Sequence, residues 1–295
     1  MPITKKKPQT REVGQPAPAV EHDADANTVT IPKTKRKPSP NLTDYNIMIY
    51  GDSGVGKTSL AAEFPDCLVL QTEPERKGLE IWSIPVPYIG VEMYGKTPRR
   101  PFIQMGNALE LAMADDAVDT VAIDTFNLLW QSAQDHVCFE AGVTHPQEIE
   151  NDWGKSWRQI RETVRNIILL FKESKKTLLF LDHSAQVETT VGGVTYMRTT
   201  PNLSDSKNGG LQVIKEMTDL IVYYGVDETG KRFFQIDNTM HIFAKCAIDG
   251  HFQTPKGEKL KKFWAGDTPS EAYKTLVDAF NNKVSNIQEK SLKKG

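Results

Sequence analysis

Cysteine is scarce in this chain: 295 residues hold only Cys67, Cys138 and Cys246, far apart and never as a CxxC pair. An odd, scattered set excludes a disulfide framework and a cysteine-based zinc site, and predicts three reduced, buried, ordinary thiols. His136, His145, His183, His241 and His251 show no metal-ligand spacing either. No run of about 18 apolar residues occurs, so neither a transmembrane helix nor a membrane partner is expected. The early lysines have no apolar stretch behind them, which argues against a secretory signal and makes the cytoplasm the simplest location. Charge of one sign is also lacking. The net charge is −2 and the pI about 6.3, so no global positive field draws in polyanions, and any nucleic acid must be met by local patches. There is no internal repeat.

What is there divides into three stretches. Residues 1–40 are rich in Pro, Lys, Thr and Asp, lack apolar periodicity and read as a solvated tail. Its basic runs, Lys5–Lys7 and Lys33–Lys37, offer a weak electrostatic arm at most. Residues 281–295 are polar, lysine-bearing and read as frayed. The intervening 41–280 alternates strand and helix signals, the signature of an α/β domain with a mostly parallel sheet and a C-terminal antiparallel extension. Strands are expected at 45–50, 67–71, 85–91, 120–124, 177–182, 220–224, 232–236 and 241–245. Helices are expected at 57–63, 101–116, 128–141, 153–175 and 269–280. The helix over 153–175 carries Trp157, Ile160, Val164, Ile167, Ile168 and Phe171 on one stripe. Trp130, Trp153 and Trp157 read as packing residues, the last two sharing a face. Residues 185–212, with Gly192, Gly193, Gly209 and Gly210, lose periodicity and read as a long functional or disordered loop.

One motif is specific. Gly51-Asp52-Ser53-Gly54-Val55-Gly56-Lys57-Thr58 matches the phosphate-loop spacing GxxxxGK[ST], with an apolar strand before it and a helix after. Glycines let main chain approach phosphate oxygens, and the N–H groups of the loop and helix start present partial positive charge to them. Lys57 is suited to the β- and γ-phosphates, and the Thr58 hydroxyl to Mg²⁺. Ser59 completes the contact set from Gly51 onward. The cofactors expected are therefore ATP, or a related triphosphate, and Mg²⁺.

Two carboxylates extend the motif. Val121-Ala122-Ile123-Asp124 is an apolar strand ending in an acid, where phosphate-loop proteins hold the metal; Asp124 also fits a helix N-cap. Glu73 follows the second strand in Leu70-Gln71-Thr72-Glu73. A carboxylate at the carboxyl end of a neighbouring strand faces a γ-phosphate and can polarise a water, the competing reading being an exposed turn acid like Glu75 or Glu80.

The order of phosphate loop, Leu70-Gln71-Thr72-Glu73, Ile123-Asp124-Thr125 and Leu181-Asp182-His183-Ser184 resembles the RecA-like recombinase core. More narrowly it resembles the phage-encoded RecA-related ATPases associated with single-strand annealing and recombination. The resemblance covers residues 44–265. It implies a RecA-like fold, DNA-dependent ATP hydrolysis and single-stranded DNA as partner. It also implies a homo-oligomeric ring or filament, with a single-strand-binding or replication protein as a possible companion, in the host cytoplasm. It implies roles for His183 as a γ-phosphate sensor and for Tyr196, Arg198 and Lys207 in a second DNA-binding loop. Lys245 would reach a neighbour's γ-phosphate; a capping or core histidine and an exposed strand lysine are the competing readings. No separate DNA-binding domain is evident, and the stretch between Phe139 and Trp157 looks like an insertion. Two other functions stand beside this one: a helicase loader or other replication-associated ATPase, and a non-catalytic nucleotide-gated interaction protein.

Overall fold

The computed structural model describes residues 31–74, 77–88, 100–150 and 152–287. The chain divides into two units, Met1–Lys37 and Pro38–Gly295. Of the first, residues 31–37 are exposed and carry neither helix nor strand. The basic run Lys5–Lys7 lies outside the described residues, as do Glu75 and the segment 288–295.

In the second unit, β1 (Ile47–Gly51) runs into the phosphate loop and α1 (Lys57–Ala61). There follow β2 (Cys67–Gln71), β3 (Trp82–Pro85), α2 (Pro101–Ala114), β4 (Thr120–Asp124) and α3 (Phe126–Ala141). Next come α4 (Lys155–Lys172), β5 (Thr177–Val191), β6 (Val194–Pro201) and α5 (Gly210–Met217). The unit closes with β7 (Leu220–Val226), β8 (Arg232–Gln235), β9 (Lys245–Cys246), β10 (Lys262–Trp264) and α6 (Pro269–Phe280). The sheet order is β10-β8-β7-β1-β5-β4-β2-β3, with β6 paired to β5 and β9 to β7. From β7 to β3 every pairing is parallel; β8, β10, β9 and β6 pair antiparallel. This is the α/β class with the antiparallel C-terminal extension that the sequence predicts.

Continuous burial along β1, β2 and β4 follows from apolar packing on both faces, as parallel sheets require. One face carries Met48, Tyr50, Phe180 and Ile123 against α2, α3, α4 and α5. The other carries Ile49, Val69, Leu179 and Val222 against α1, α6 and the segment around Phe252–Ala265. In α4 the expected stripe is the buried one: Ile160, Val164, Ile168 and Phe171 are at most 1% exposed.

Several expectations change. Residues 185–212 form a two-stranded antiparallel ribbon, with Ser184 opposite Pro201 and Thr190 opposite Thr195, followed by α5. Gly192 and Gly193 both take positive φ and make the two-residue turn that such ribbons favour. The third strand ends at Pro85, whereas 85–91 was expected, and residues 89–91 lie outside the described ones. In 241–245 only Lys245 joins a strand. Trp153 precedes α4 with φ 48° and its side chain is 91% exposed, so it shares no helix face with Trp157. Trp130 is core, as expected. The terminal stretch is held through Ile287, whose N–H donates to the Lys262 carbonyl at 2.9 Å, while Asn286 Oδ1 accepts from Lys261 N at 2.6 Å. No helix among the described residues is long and apolar enough to cross a membrane.

Candidate nucleotide-binding site

The site lies at the carboxyl ends of β1, β5, β4 and β2, where an open parallel sheet places its loops in a crevice. Its first requirement is at Gly51. A Cβ there would come within 2.0 Å of the Tyr224 carbonyl oxygen of neighbouring β7, so only glycine lets β1 turn out of the sheet at this point. At the loop's end Gly56 has φ 104°, a left-handed conformation that starts α1 with its N–H groups uncapped.

Around the turn the side chains are pinned. The Lys57 ammonium, 6% exposed, donates to the carbonyls of Gly51 and Asp52, both at 2.9 Å, folded back over the loop. Ser184, at the start of the ribbon, donates its hydroxyl to Asp52 Oδ1. The Arg232 guanidinium donates to the Val55 carbonyl at 3.0 Å and to the Asp267 carbonyl at 3.3 Å. Since the C=O of residue 55 and the N–H of residue 56 point in opposite directions across one planar peptide, holding the carbonyl toward Arg232 aims the Gly56 N–H the other way.

Behind the loop, Thr58 Oγ1 donates to Asp124 Oδ2 at 2.6 Å, both residues being buried. That is a hard oxygen pair of the kind that suits Mg²⁺. Thr72 fixes the β4 end from the side: its N–H donates to the Asp124 carbonyl at 2.8 Å, and its hydroxyl accepts from Thr125 N at 2.6 Å. Thr125, one residue on, occupies the N-cap position of α3.

His183 joins the two halves. Its Nε2 lies 2.6 Å from Glu73 Oε1, and its Nδ1 3.5 Å from Lys57 Nζ. An ammonium can only donate, so the network assigns the acceptor role to Nδ1 and the proton to Nε2, which donates to the Glu73 carboxylate. Glu73 therefore sits within one imidazole of Lys57, although β2 is three strands from β1.

Asp182 is the residue that sequence reasoning left without a role. It is wholly buried, its Oδ1 accepts the His183 N–H at 2.8 Å, and its Oδ2 has no protein partner. Burial pushes its carboxyl up to about 7, only partly opposed by the His183 N–H and the Lys57 ammonium. Gln71, in register with Asp124, likewise has a buried, unpartnered Oε1. These two orphaned oxygens, the uncapped loop amides, Lys57 and the Thr58–Asp124 pair form a donor and acceptor set that fits a triphosphate with Mg²⁺.

Sequence reasoning thus locates Gly51–Ser59, Glu73, Asp124 and His183 at one site, and the structure brings them together. It does not bring the other expected residues there. Tyr196 and Arg198 lie on β6 and pack onto the segment 238–243: the Tyr196 ring is 6.0 Å from that of His241, and Arg198 donates to Asn238 Oδ1 at 2.5 Å while lying 5.3 Å from the Phe243 ring. Lys207 lies apart from both, beside the start of α4. Lys245 pairs with Ile221, near the amino end of β7, whereas the phosphate loop lies at the carboxyl end of neighbouring β1. Its ammonium donates to the Lys215 and Thr218 carbonyls, each at 2.6 Å, and so closes the C-terminus of α5. That engagement replaces the expected outward reach. Arg232 was missed because its tie to Val55 spans 177 positions and leaves no local pattern.

The AAA domain family matches residues 43–247, the segment from just before β1 through β9. No curated protein matches the sequence. Among solved structures, a KaiC-like protein from the hyperthermophilic archaeon Pyrococcus horikoshii is similar, at 11% identity over 77% of this chain and 88% of that one, with a TM-score of 0.39.

Proposed function

The chain belongs to the AAA domain family of phosphate-loop ATPases, and from that premise we propose that it binds ATP with Mg²⁺, hydrolyses the γ-phosphate bond, and couples this to single-stranded DNA in recombination or strand annealing of the phage-encoded RecA-related kind. The observation that carries the reading is the chain Lys57–His183–Glu73, with its 3.5 Å and 2.6 Å links. In this reading the loop amides and Lys57 hold the phosphates, and Thr58 and Asp124 hold Mg²⁺, which when bound neutralises charge developing on the phosphate oxygens. Glu73 accepts the proton of the attacking water, and His183 orients the Glu73 carboxylate through Nε2. A phosphate group that draws Lys57 away from the Gly51 and Asp52 carbonyls alters the partner of His183 Nδ1, and His183 begins the strand segment leading into the ribbon. Nucleotide state is thereby read by a part of the chain outside the nucleotide pocket.

The test is ATP turnover by the purified full chain with and without single-stranded oligonucleotide. Stimulation by the oligonucleotide is expected. Turnover that ignores DNA, together with capture of a replication protein, favours a loader. Binding of ATP without turnover under either condition favours a nucleotide-gated interaction protein. A homo-oligomer is part of the proposal, and sedimentation with ATP present checks it.

A further inference from the structure

Away from the nucleotide site, a cavity of about 260 Å³ opens between the start of α4 and the turn that precedes α5. Its walls come from Trp153, Lys155, Arg158, Arg161, Lys207 and Asn208, with the Gly154 backbone between the first two. Four of these side chains are cationic and none is a carboxylate. Of the nearby acids, Glu216 is taken up by Arg161 at 2.6 Å. Asp152 is turned onto the first turn of α4, where it accepts from Ser156 N at 2.7 Å and Ser156 Oγ at 2.9 Å. Lys155, Arg158 and Lys207 thus bring positive charge to one concavity in a protein whose net charge is −2. All three are solvent-exposed, and together they present a local positive field to an incoming anion.

Trp153 adds a second, independent feature. Its side chain is 91% exposed at the rim, held on a left-handed backbone (φ 48°), whereas Trp130 is buried in the core. An indole left in water beside a cationic hollow offers a flat face for a nucleobase. The volume is below the roughly 300 Å³ at which pockets for whole small-molecule ligands begin. It matches one phosphate and part of one nucleotide, the remainder of the ligand running outside. A duplex keeps its bases stacked on each other and cannot lay one on Trp153, so the chemistry selects a single strand.

One wall of the cavity belongs to a segment that starts beside the nucleotide site. Lys207 lies in the segment after β6 whose first residue, Asn202, donates its N–H to the His183 carbonyl at 2.9 Å. Resting on the single-strand reading above and giving it a place, we propose that this cavity receives the phosphodiester backbone of a single strand, Arg158 and Lys207 meeting phosphate and the Trp153 indole stacking one base. The ribbon residues Tyr196 and Arg198 are not its primary contacts.

The test is fluorescence anisotropy of a labelled oligothymidylate of about twenty nucleotides with the full chain, across a salt series. The variants are Trp153→Ala, Trp153→Phe and the double variant Arg158→Gln/Lys207→Gln. ATP affinity is measured for each as the check on folding, and is expected to be unchanged. Losing two phosphate contacts should lower the salt slope by about 1.4, at roughly 0.7 per cation on single strands, and weaken binding at least tenfold. Trp153→Ala should weaken it roughly tenfold and Trp153→Phe should restore most of the loss. Inorganic phosphate should not displace the strand at concentrations where unlabelled oligonucleotide does. Wild-type binding that all three variants keep would overturn the cavity as the contact while leaving the single-strand reading intact. Displacement by phosphate as effective as by oligonucleotide would reduce the site to a generic anion hole and overturn the proposal. A wild-type chain that binds no strand, with or without ATP, would overturn the single-strand reading itself, and this proposal with it.

Discussion

Replacing Asp182 by Asn should make the protein more stable at alkaline pH and leave its stability in acid nearly unchanged relative to wild type. The side chain is wholly buried and its Oδ2 is unpartnered. Its carboxyl is raised from the ordinary 3.8 to about 7, chiefly by desolvation. A raised carboxyl has the opposite sign from the usual paired acid. Below about pH 4 both the folded and the unfolded chain carry the proton, and nothing is lost. Between pH 4 and 7 the unfolded chain has released the proton while the folded chain retains it, so stability falls as pH rises. Above 7 the cost is constant. At about 1.4 kcal/mol per unit, the two units from pH 5 to 7 amount to about 3 kcal/mol. Asn keeps the Oδ1 acceptor for the His183 N–H and cannot ionise, so the fixed effects of the substitution cancel when the two proteins are compared across pH. For a domain of roughly 250 residues, that difference moves the midpoint of thermal unfolding by about 5 °C. The assay is nucleotide-free thermal or urea unfolding of both proteins at pH 5 and pH 8. The gap in favour of Asp182→Asn should widen between the two. Parallel behaviour would mean that Asp182 is ionised in the fold at pH 5, and the account of its burial would fail.

Other outcomes follow from the site. Lys57→Ala should abolish measurable ATP binding by calorimetry while leaving the unfolding midpoint of the nucleotide-free protein within a few degrees. Glu73→Gln should retain ATP affinity and lose at least about a hundredfold in turnover, in the range of a lost general base; wild-type turnover would remove Glu73 from the chemistry. Arg232→Met should weaken ATP binding several-fold with little change in the turnover of the saturated protein, because it frees one loop carbonyl and touches no reacting atom. Lys245→Met should cost about 1–2 kcal/mol by urea unfolding, through the loss of two charged hydrogen bonds at the end of α5, and leave ATP turnover intact.

Much of this was legible because it is local. The strands Cys67–Gln71 and Thr120–Asp124 are continuous apolar runs with sharp polar ends, and α6 opens on Thr268-Pro269 with Glu271 closing a capping box, so their bounds agree with the sequence. The phosphate loop carries its own strand and helix. The ribbon was hidden by composition. Its strands are half exposed, so Thr and Val alternate with polar residues without an apolar stripe, and Gly192-Gly193 reads as a break when it is a two-residue turn. Pairing across the sheet was illegible for a different reason. The contact of His183 with Glu73 spans 110 positions and that of Arg232 with Val55 spans 177, and both exist only once the strand order is set. The tie of Lys245 to the end of α5 was illegible because a lysine's partners are decided by the carbonyls that its strand happens to pass.

β5 is one uninterrupted fifteen-residue strand. Its first half is clamped between β1 and β4, and its second half stands free of the central sheet, hydrogen-bonded only to β6 among the named strands. Such a member behaves as a stiff oar with its blade outside and its pivot at Asp182–Ser184. A small tilt at the pivot would be magnified towards the tip near Gly192, so a change on the scale of one hydrogen bond at Asp182–Ser184 would be carried well outside the nucleotide site.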